Sequence, residues 1–139
     1  MNVYFWILRL AALLGHKKAR KLVKGQRAAM AELQEWASRL NGEQVLWFHA
    51  ASVGEFEQVR PIIERLSNEL PFDRVLLTFF SPSGYELRKN YDLVDKVTYL
   101  PFATRRNAKK LLSILPLKAA VMVKYEFWPA YLKALKKNG

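Results

Sequence analysis

The sequence predicts an α/β fold in which a parallel sheet is covered by helices on both faces, and three observations point to it. Short apolar runs rich in β-branched and aromatic residues recur as "EQVLWFHA", "RVLLTFF", "KVTYL" and "KAAVMVK". Between them lie longer stretches with apolar residues at helical spacing, several opened by a capping residue or a proline. Strands alternating with helices at this spacing pair in parallel through right-handed crossovers, which place helices on both faces of the sheet.

The elements follow in order. "AAMAELQEWASRL" (28–40) has helical periodicity and meets a stop at Asn41-Gly42. "EQVLWFHA" is the first strand and "EFEQVRPIIERLSNEL" the helix after it, in which Pro61 predicts a kink or a turn. "RVLLTFF" is the second strand. Ser81-Pro82 then gives an N-cap and a favoured first helical position for a short helix through Asn90. "KVTYL" is the third strand, stopped by Pro101. Thr104 caps "RRNAKKLLSIL", "KAAVMVK" is the fourth strand, and "FWPAYLKALKKNG" is a last helix. No repeat, low-complexity tract or internal linker interrupts the pattern.

At 139 residues the chain fits one domain with a real core, and 51% apolar against 25% charged residues is ordinary globular usage. The charge balance is not ordinary. Lys and Arg number 23 against 12 Asp and Glu, a net +11, which points to an anionic partner: nucleic acid, acidic lipid or a phosphorylated substrate. With no cysteine there is neither a disulfide framework nor a thiolate site, a composition compatible with the cytosol.

The excess charge is concentrated early. No acidic residue precedes Glu32, whereas Arg9, Lys17, Lys18, Arg20, Lys21, Lys24 and Arg27 do. Ahead of the basic run, "VYFWILRLAALL" (3–14) is apolar except for Arg9, yet short of the ~20 residues a spanning helix needs. A signal peptide would put its positive region first. Residues 1–27 therefore read as a membrane-associating segment, in which apolar insertion and attraction to anionic lipid add. The alternative is a first helix packed on the core with a solvated basic face. Residues 28–139 form the α/β domain.

In a parallel sheet the chemistry belongs at the strand carboxyl ends. The loops there carry His49, Ser52 and Glu55; Thr78, Ser81 and Ser83; Arg105 and Arg106; and Lys124 and Glu126. Hydroxyls, helix-start amides and cations on one rim suit an anionic ligand. No GxGxxG or GxxxxGK[ST] is present, which excludes dinucleotide and P-loop readings. Two histidines without cysteine or a close carboxylate cluster predict no metal. His49, Ser52 and Glu55 crowd one tight turn, which leaves no separate element to orient the base of a hydrolase triad.

"HAASVGE" (49–55) admits two readings of its glutamate. Ser52 followed three residues later by Glu55 fits a capping box, with Ser52 fixing the helix start and Glu55 reaching back to the N-cap amide. The same placement holds a carboxylate where ligands bind, and Gly54 removes side-chain bulk beside it.

"HAASVGEFEQVRPIIERL", "LLTFFSPSGYE", "VTYLPFATRRNAKKLL" and "AAVMVKYEFWPAYLKALKKNG" resemble, in order and spacing, the N-terminal part of 3-deoxy-D-manno-octulosonic acid (Kdo) transferases of Gram-negative bacteria. The resemblance implies a GT-B glycosyltransferase, whose two Rossmann-like domains face a cleft. The first domain handles the lipid A precursor and the second chiefly CMP-Kdo. It implies an inverting, metal-independent transfer with no cofactor beyond the donor substrate, at the cytoplasmic face of the inner membrane. The general-base role falls on Glu55 of "SVGE", and the glutamate of the family's ExWP element falls on Glu126; with the loop residues Ser52, Gly54 and Lys124, Glu126 makes up the candidate substrate-binding set. Family members often carry threonines where this chain has "TFFSPSG" and an aspartate where it has Ala103. The donor domain is not among residues 1–139, so the chain is expected to transfer no sugar alone.

A second class stays open: a non-catalytic basic α/β module that binds RNA or anionic membrane. Basic residues interleaved with aromatics suit it. No RNA-binding signature accompanies them, and no nucleic-acid partner is expected.

Overall fold

The computed structural model describes residues 16–69, 73–123 and 128–137. The apolar stretch 3–14, Lys124 and Glu126 lie outside the described residues. In chain order the elements are α1 (Lys17–Ala37), β1 (Val45–Ala50), α2 (Val53–Glu69), β2 (Arg74–Phe79), α3 (Pro82–Arg88), β3 (Lys96–Tyr99), α4 (Arg105–Ile114), β4 (Leu117–Met122) and α5 (Pro129–Lys137).

The strands form one sheet in the order β3-β2-β1-β4, and every pairing is parallel. From β1 the chain steps to β2 and then β3 on one side, and it crosses back to place β4 on the other. The strand order therefore reverses between β1 and β4, and the carboxyl ends there flank the crevice of an open α/β sheet. This is the Rossmann-like arrangement expected from the alternation of strands and helices.

Side chains two apart on each strand share a face. On one face Phe56, Val59 and Ile63 of α2 pack on Leu46, Phe48, Ala50, Val75, Leu77 and Phe79. On the other, Leu33 of α1, Ala108 and Leu111 of α4 and Tyr131 of α5 pack on Val45, Trp47, Leu76 and Leu100. Each fully buried large apolar side chain contributes about 1.5–3 kcal/mol, so the two layers hold the sheet from both sides.

The first helix among the described residues differs from the periodicity reading. It starts at Lys17 rather than Ala28, so residue 27 falls inside a continuous helix. The cause is an unbroken apolar stripe of Ala19, Leu22, Val23, Ala29 and Leu33, with Gln26 also buried along it. Gly25 does not interrupt it, because the ring of Tyr99 occupies the space its side chain would need. Lys17, Lys18, Arg20, Lys21, Lys24 and Arg27 all remain exposed. Glu32 accepts a hydrogen bond from the Thr98 hydroxyl at 2.8 Å and pairs with Lys96 at the start of β3. Leu22 meets Tyr99 at the end of that strand. α1 thus runs antiparallel to the strands, and its first turns lie at their carboxyl ends.

The caps behave as expected. Ser81 accepts from the Gly84 N–H at 3.3 Å with Pro82 opening α3, and Thr104 accepts from the Asn107 N–H at 3.1 Å. α2 continues through Pro61, so no turn ends the helix there, and the proline's missing N–H gives up one intrahelical bond.

Candidate active site

β1 is buried along its whole length and delivers the chain to the rim at Ala50. The next residue joins two loops through its two backbone groups. The Ala51 N–H donates to Glu55 Oε2 at 2.5 Å, and the Ala51 carbonyl accepts from the Ser81 N–H at 2.7 Å. α2 then begins, with the Phe56 N–H donating to the Ser52 carbonyl at 3.0 Å. Phe56 is fully buried, 5.1 Å edge-on from Tyr91 and 5.9 Å from Phe79, so the first turn cannot rotate.

This is a modified capping box. The glutamate reaches the amide of Ala51 rather than that of the N-cap Ser52. The reciprocal bond, from the Glu55 N–H to Ser52 Oγ, is long at 3.5 Å. Glu55 is therefore the stronger half of the pair, and Ser52 contributes a weak cap.

The carboxylate is held by one oxygen. Among the described residues Glu55 Oε1 makes no hydrogen bond and no ion pair. Glu57, two residues on, is the contrast: Arg88 donates to it at 2.6 Å and Arg60 at 3.1 Å. Gly54 is exposed, its φ is not positive, and beyond its chain neighbours and the local helix backbone no atom lies within 4 Å of a side chain built there. Neither backbone nor packing demands glycine at that position. An anchored carboxylate, one open oxygen and clear space beside it are what a base needs to reach an incoming hydroxyl.

Other rim residues of the sequence reading belong to the interior. His49 is completely buried, as is Thr78. Thr78 Oγ1 accepts from the Trp47 indole N–H at 2.9 Å and lies 2.9 Å from His49 Nδ1, which also faces the Thr78 carbonyl at 3.1 Å. These two residues line the core side of the sheet because they alternate in register with Trp47 and Leu76. Ser81 serves as a cap, Ser83 is exposed, and Arg105 and Arg106 are exposed at the start of α4. Lys124 and Glu126 lie outside the described residues, so Ser52, Gly54 and Glu55 are the members of the substrate and base set whose placement is described.

The sequence gives Trp128 no role beyond its place in the ExWP element. Its indole N–H donates to His49 Nε2 at 3.1 Å, and its ring lies 5.2 Å from that of Phe80. Among the described residues no group of three or more histidine, aspartate or glutamate side chains converges as a metal would require.

Over residues 20–139 the chain matches the family model of 3-deoxy-D-manno-octulosonic-acid transferase (kdotransferase). It is 37% identical over 93 residues to a 3-deoxy-D-manno-octulosonic acid transferase of Aquifex aeolicus, an alignment covering 66% of this chain and 26% of the relative. It is 29% identical over 94 residues to the enzyme of the same description from Haemophilus influenzae, covering 66% of this chain and 22% of the relative. A bifunctional glycosyltransferase/methyltransferase of Fusobacterium nucleatum is 30% identical over 104 residues, covering 73% of this chain and 16% of the relative. The chain thus spans about a quarter or less of the length of these curated relatives.

Proposed function

Because the chain belongs to the 3-deoxy-D-manno-octulosonic acid transferase family, we propose that it forms the acceptor-side half of an enzyme that transfers Kdo from CMP-Kdo to a lipid A precursor. The observation that carries this reading is the Glu55 carboxylate, anchored through Oε2 to the Ala51 N–H with Oε1 open at the strand carboxyl ends. As the acceptor hydroxyl attacks the anomeric carbon of the donor, its proton passes to Glu55. A carbon–oxygen bond forms, the bond from the anomeric carbon to the CMP phosphate oxygen breaks, and CMP leaves with that electron pair. Attack opposite to the leaving group inverts the anomeric centre.

CMP carries its own negative charge and leaves without needing a proton, so one carboxylate suffices on the acceptor side. CMP-Kdo is held chiefly by a second, donor-binding half. On this reading residues 1–139 alone transfer no sugar.

The membrane belongs to the same proposal. The exposed cations of α1 sit on the half of the helix nearest the strand carboxyl ends. Anionic lipid of the inner membrane's cytoplasmic face is the surface they suit, with residues 3–14 as the apolar partner. Among the described residues no helix is long and apolar enough to cross a membrane.

The experiment is a transfer assay from CMP-Kdo to lipid A precursor in detergent micelles, with residues 1–139 alone and as part of a longer chain that includes a donor-binding half. Transfer by the longer chain, its loss in Glu55→Gln, and none by the short chain are the expected results. A longer chain that binds both substrates and transfers at an undiminished rate in Glu55→Gln would overturn the assignment of the base.

A further inference from the structure

We propose that His49 is a positioning residue: its imidazole latches the start of α5 to β1 through Trp128 and so sets the crevice between the ends of β1 and β4. The proposal rests on the transferase reading above and adds to it a residue that touches no substrate.

The geometry is specific. The His49 carbonyl accepts from the Val123 N–H at 2.9 Å, which fixes the end of β4. The His49 side chain accepts from the Trp128 indole N–H at 3.1 Å, which fixes the approach to α5. One residue of β1 therefore grips the chain at both of these points, on the two sides of residues 124–127. An indole N–H can only donate, so His49 Nε2 must accept, and the ring proton sits on Nδ1 facing the Thr78 carbonyl. Trp128 is held from a second side by Phe80, at the end of β2. The ends of β1, β2 and β4 are thus tied together through one buried imidazole and one indole.

The order reversal of the sheet lies between β1 and β4, and Glu55 follows β1 by five residues through the Ala51 amide. A shift of Trp128 would move one wall of the crevice relative to a carboxylate fixed on the other. Transfer rates are sensitive to such displacements, with ~1 Å of misplacement costing about 10²-fold.

A burial role alone and a positioning role predict opposite rankings of two conservative variants. His49→Asn keeps a donor at the δ position for the Thr78 carbonyl and loses the acceptor for Trp128. His49→Gln keeps an acceptor at the ε position for Trp128 and loses the δ donor. If the imidazole merely fills and satisfies the core, Asn should equal or surpass Gln. If it positions Trp128, Gln should recover most of kcat, whereas Asn and Trp128→Phe should each lower it about 10²-fold at similar KM. The His49→Asn/Trp128→Phe double variant should be no worse than either single one.

The indole N–H resonance of Trp128, followed in the isolated 139-residue chain, reads the latch without any transfer assay. It should stay near its wild-type position in Gln and move in Asn. An Asn variant with wild-type kcat and an unmoved Trp128 resonance would overturn the positioning role. A wild-type longer chain that transfers nothing, together with an indole resonance that does move in Asn, would instead fault the transferase reading and leave the latch in place.

Discussion

The ring of Tyr99 occupies the space that a side chain on Gly25 would fill, so the last residue of β3 and the middle of α1 meet with nothing between them. Ordinarily Gly→Ala in a helix gains about 1 kcal/mol. Here the ring is also packed against Tyr85, with centroids 4.4 Å apart, which hinders its withdrawal. Gly25→Ala is expected to lower stability by about 1–3 kcal/mol, as overpacking does. Urea denaturation measures it, and a Tyr99→Leu background should remove most of the penalty. An equally destabilised double variant would mean that the conflict lies elsewhere.

The exposed cations of α1 should bind anionic vesicles. Lys21 already pairs with Glu86 at 3.4 Å, so Arg20, Lys24 and Arg27 are the better ones to reverse. Reversing all three to glutamate is expected to weaken sedimentation with vesicles containing phosphatidylserine, each lost cation costing about 1 kcal/mol near the surface. Added salt should act in the same direction through screening. Binding that survives both the triple reversal and salt would assign adsorption to the apolar stretch 3–14.

Much of the fold was legible because two periodicities are explicit in the chain. Strands buried on both faces read as continuous apolar runs, and "VLWF" and "VLLTF" announced themselves so. Ser81 and Thr104 are short polar residues set just before helical stretches, and both cap as their chemistry requires. The start of α1 was misread because Lys and Arg dominate residues 17–27, and charge hid a stripe of Ala19, Leu22 and Val23. In the site, Glu55 was legible as a carboxylate after a strand. The burial of His49 was not, because its partners Thr78 and Trp128 are 29 and 79 residues away in the chain.

Two tyrosines give the fold an alkaline limit. Burial pushes the Tyr99 phenol up to about 12, and it raises that of Tyr131, whose hydroxyl donates to the Pro101 carbonyl at 2.8 Å. Below the ordinary value of 10 both phenols are neutral in folded and unfolded chains, and their contribution is fully present. Above it the unfolded chain releases protons that the folded chain retains, so stability falls as pH rises and is lost through the folded values. Tyrosinate absorbance followed with circular dichroism should show the more exposed tyrosines ionising first, and Tyr99 and Tyr131 ionising only with unfolding. Complete tyrosine ionisation near pH 10 with the fold intact would contradict this burial.

Glu55 and Ser52 separate function from stability. Glu55→Gln leaves a side-chain oxygen that can still accept from the Ala51 N–H, so the loop closure seen at 2.5 Å is retained. What goes is the negative charge beside the α2 N-terminus, worth about 0.3–1 kcal/mol, and the capacity to take a proton. The expected result is a small drop in melting temperature and a loss of about 10²–10⁴ in kcat, the usual contribution of a general base. Ser52→Ala removes a cap whose bond is already long at 3.5 Å, so its cost should sit near the bottom of the capping range, about 0.5 kcal/mol, with turnover per folded molecule intact. Gly54→Ala completes the set. The new methyl meets nothing within 4 Å beyond its chain neighbours and the local helix backbone, and alanine favours the helix, so melting temperature should hold or rise while the acceptor KM increases. Thermal melts and steady-state kinetics on the same preparations separate the outcomes. If Glu55→Gln melted far earlier and kept its turnover per folded molecule, the carboxylate would serve only to close the loop at Ala51, and the base would have to be sought elsewhere on the rim.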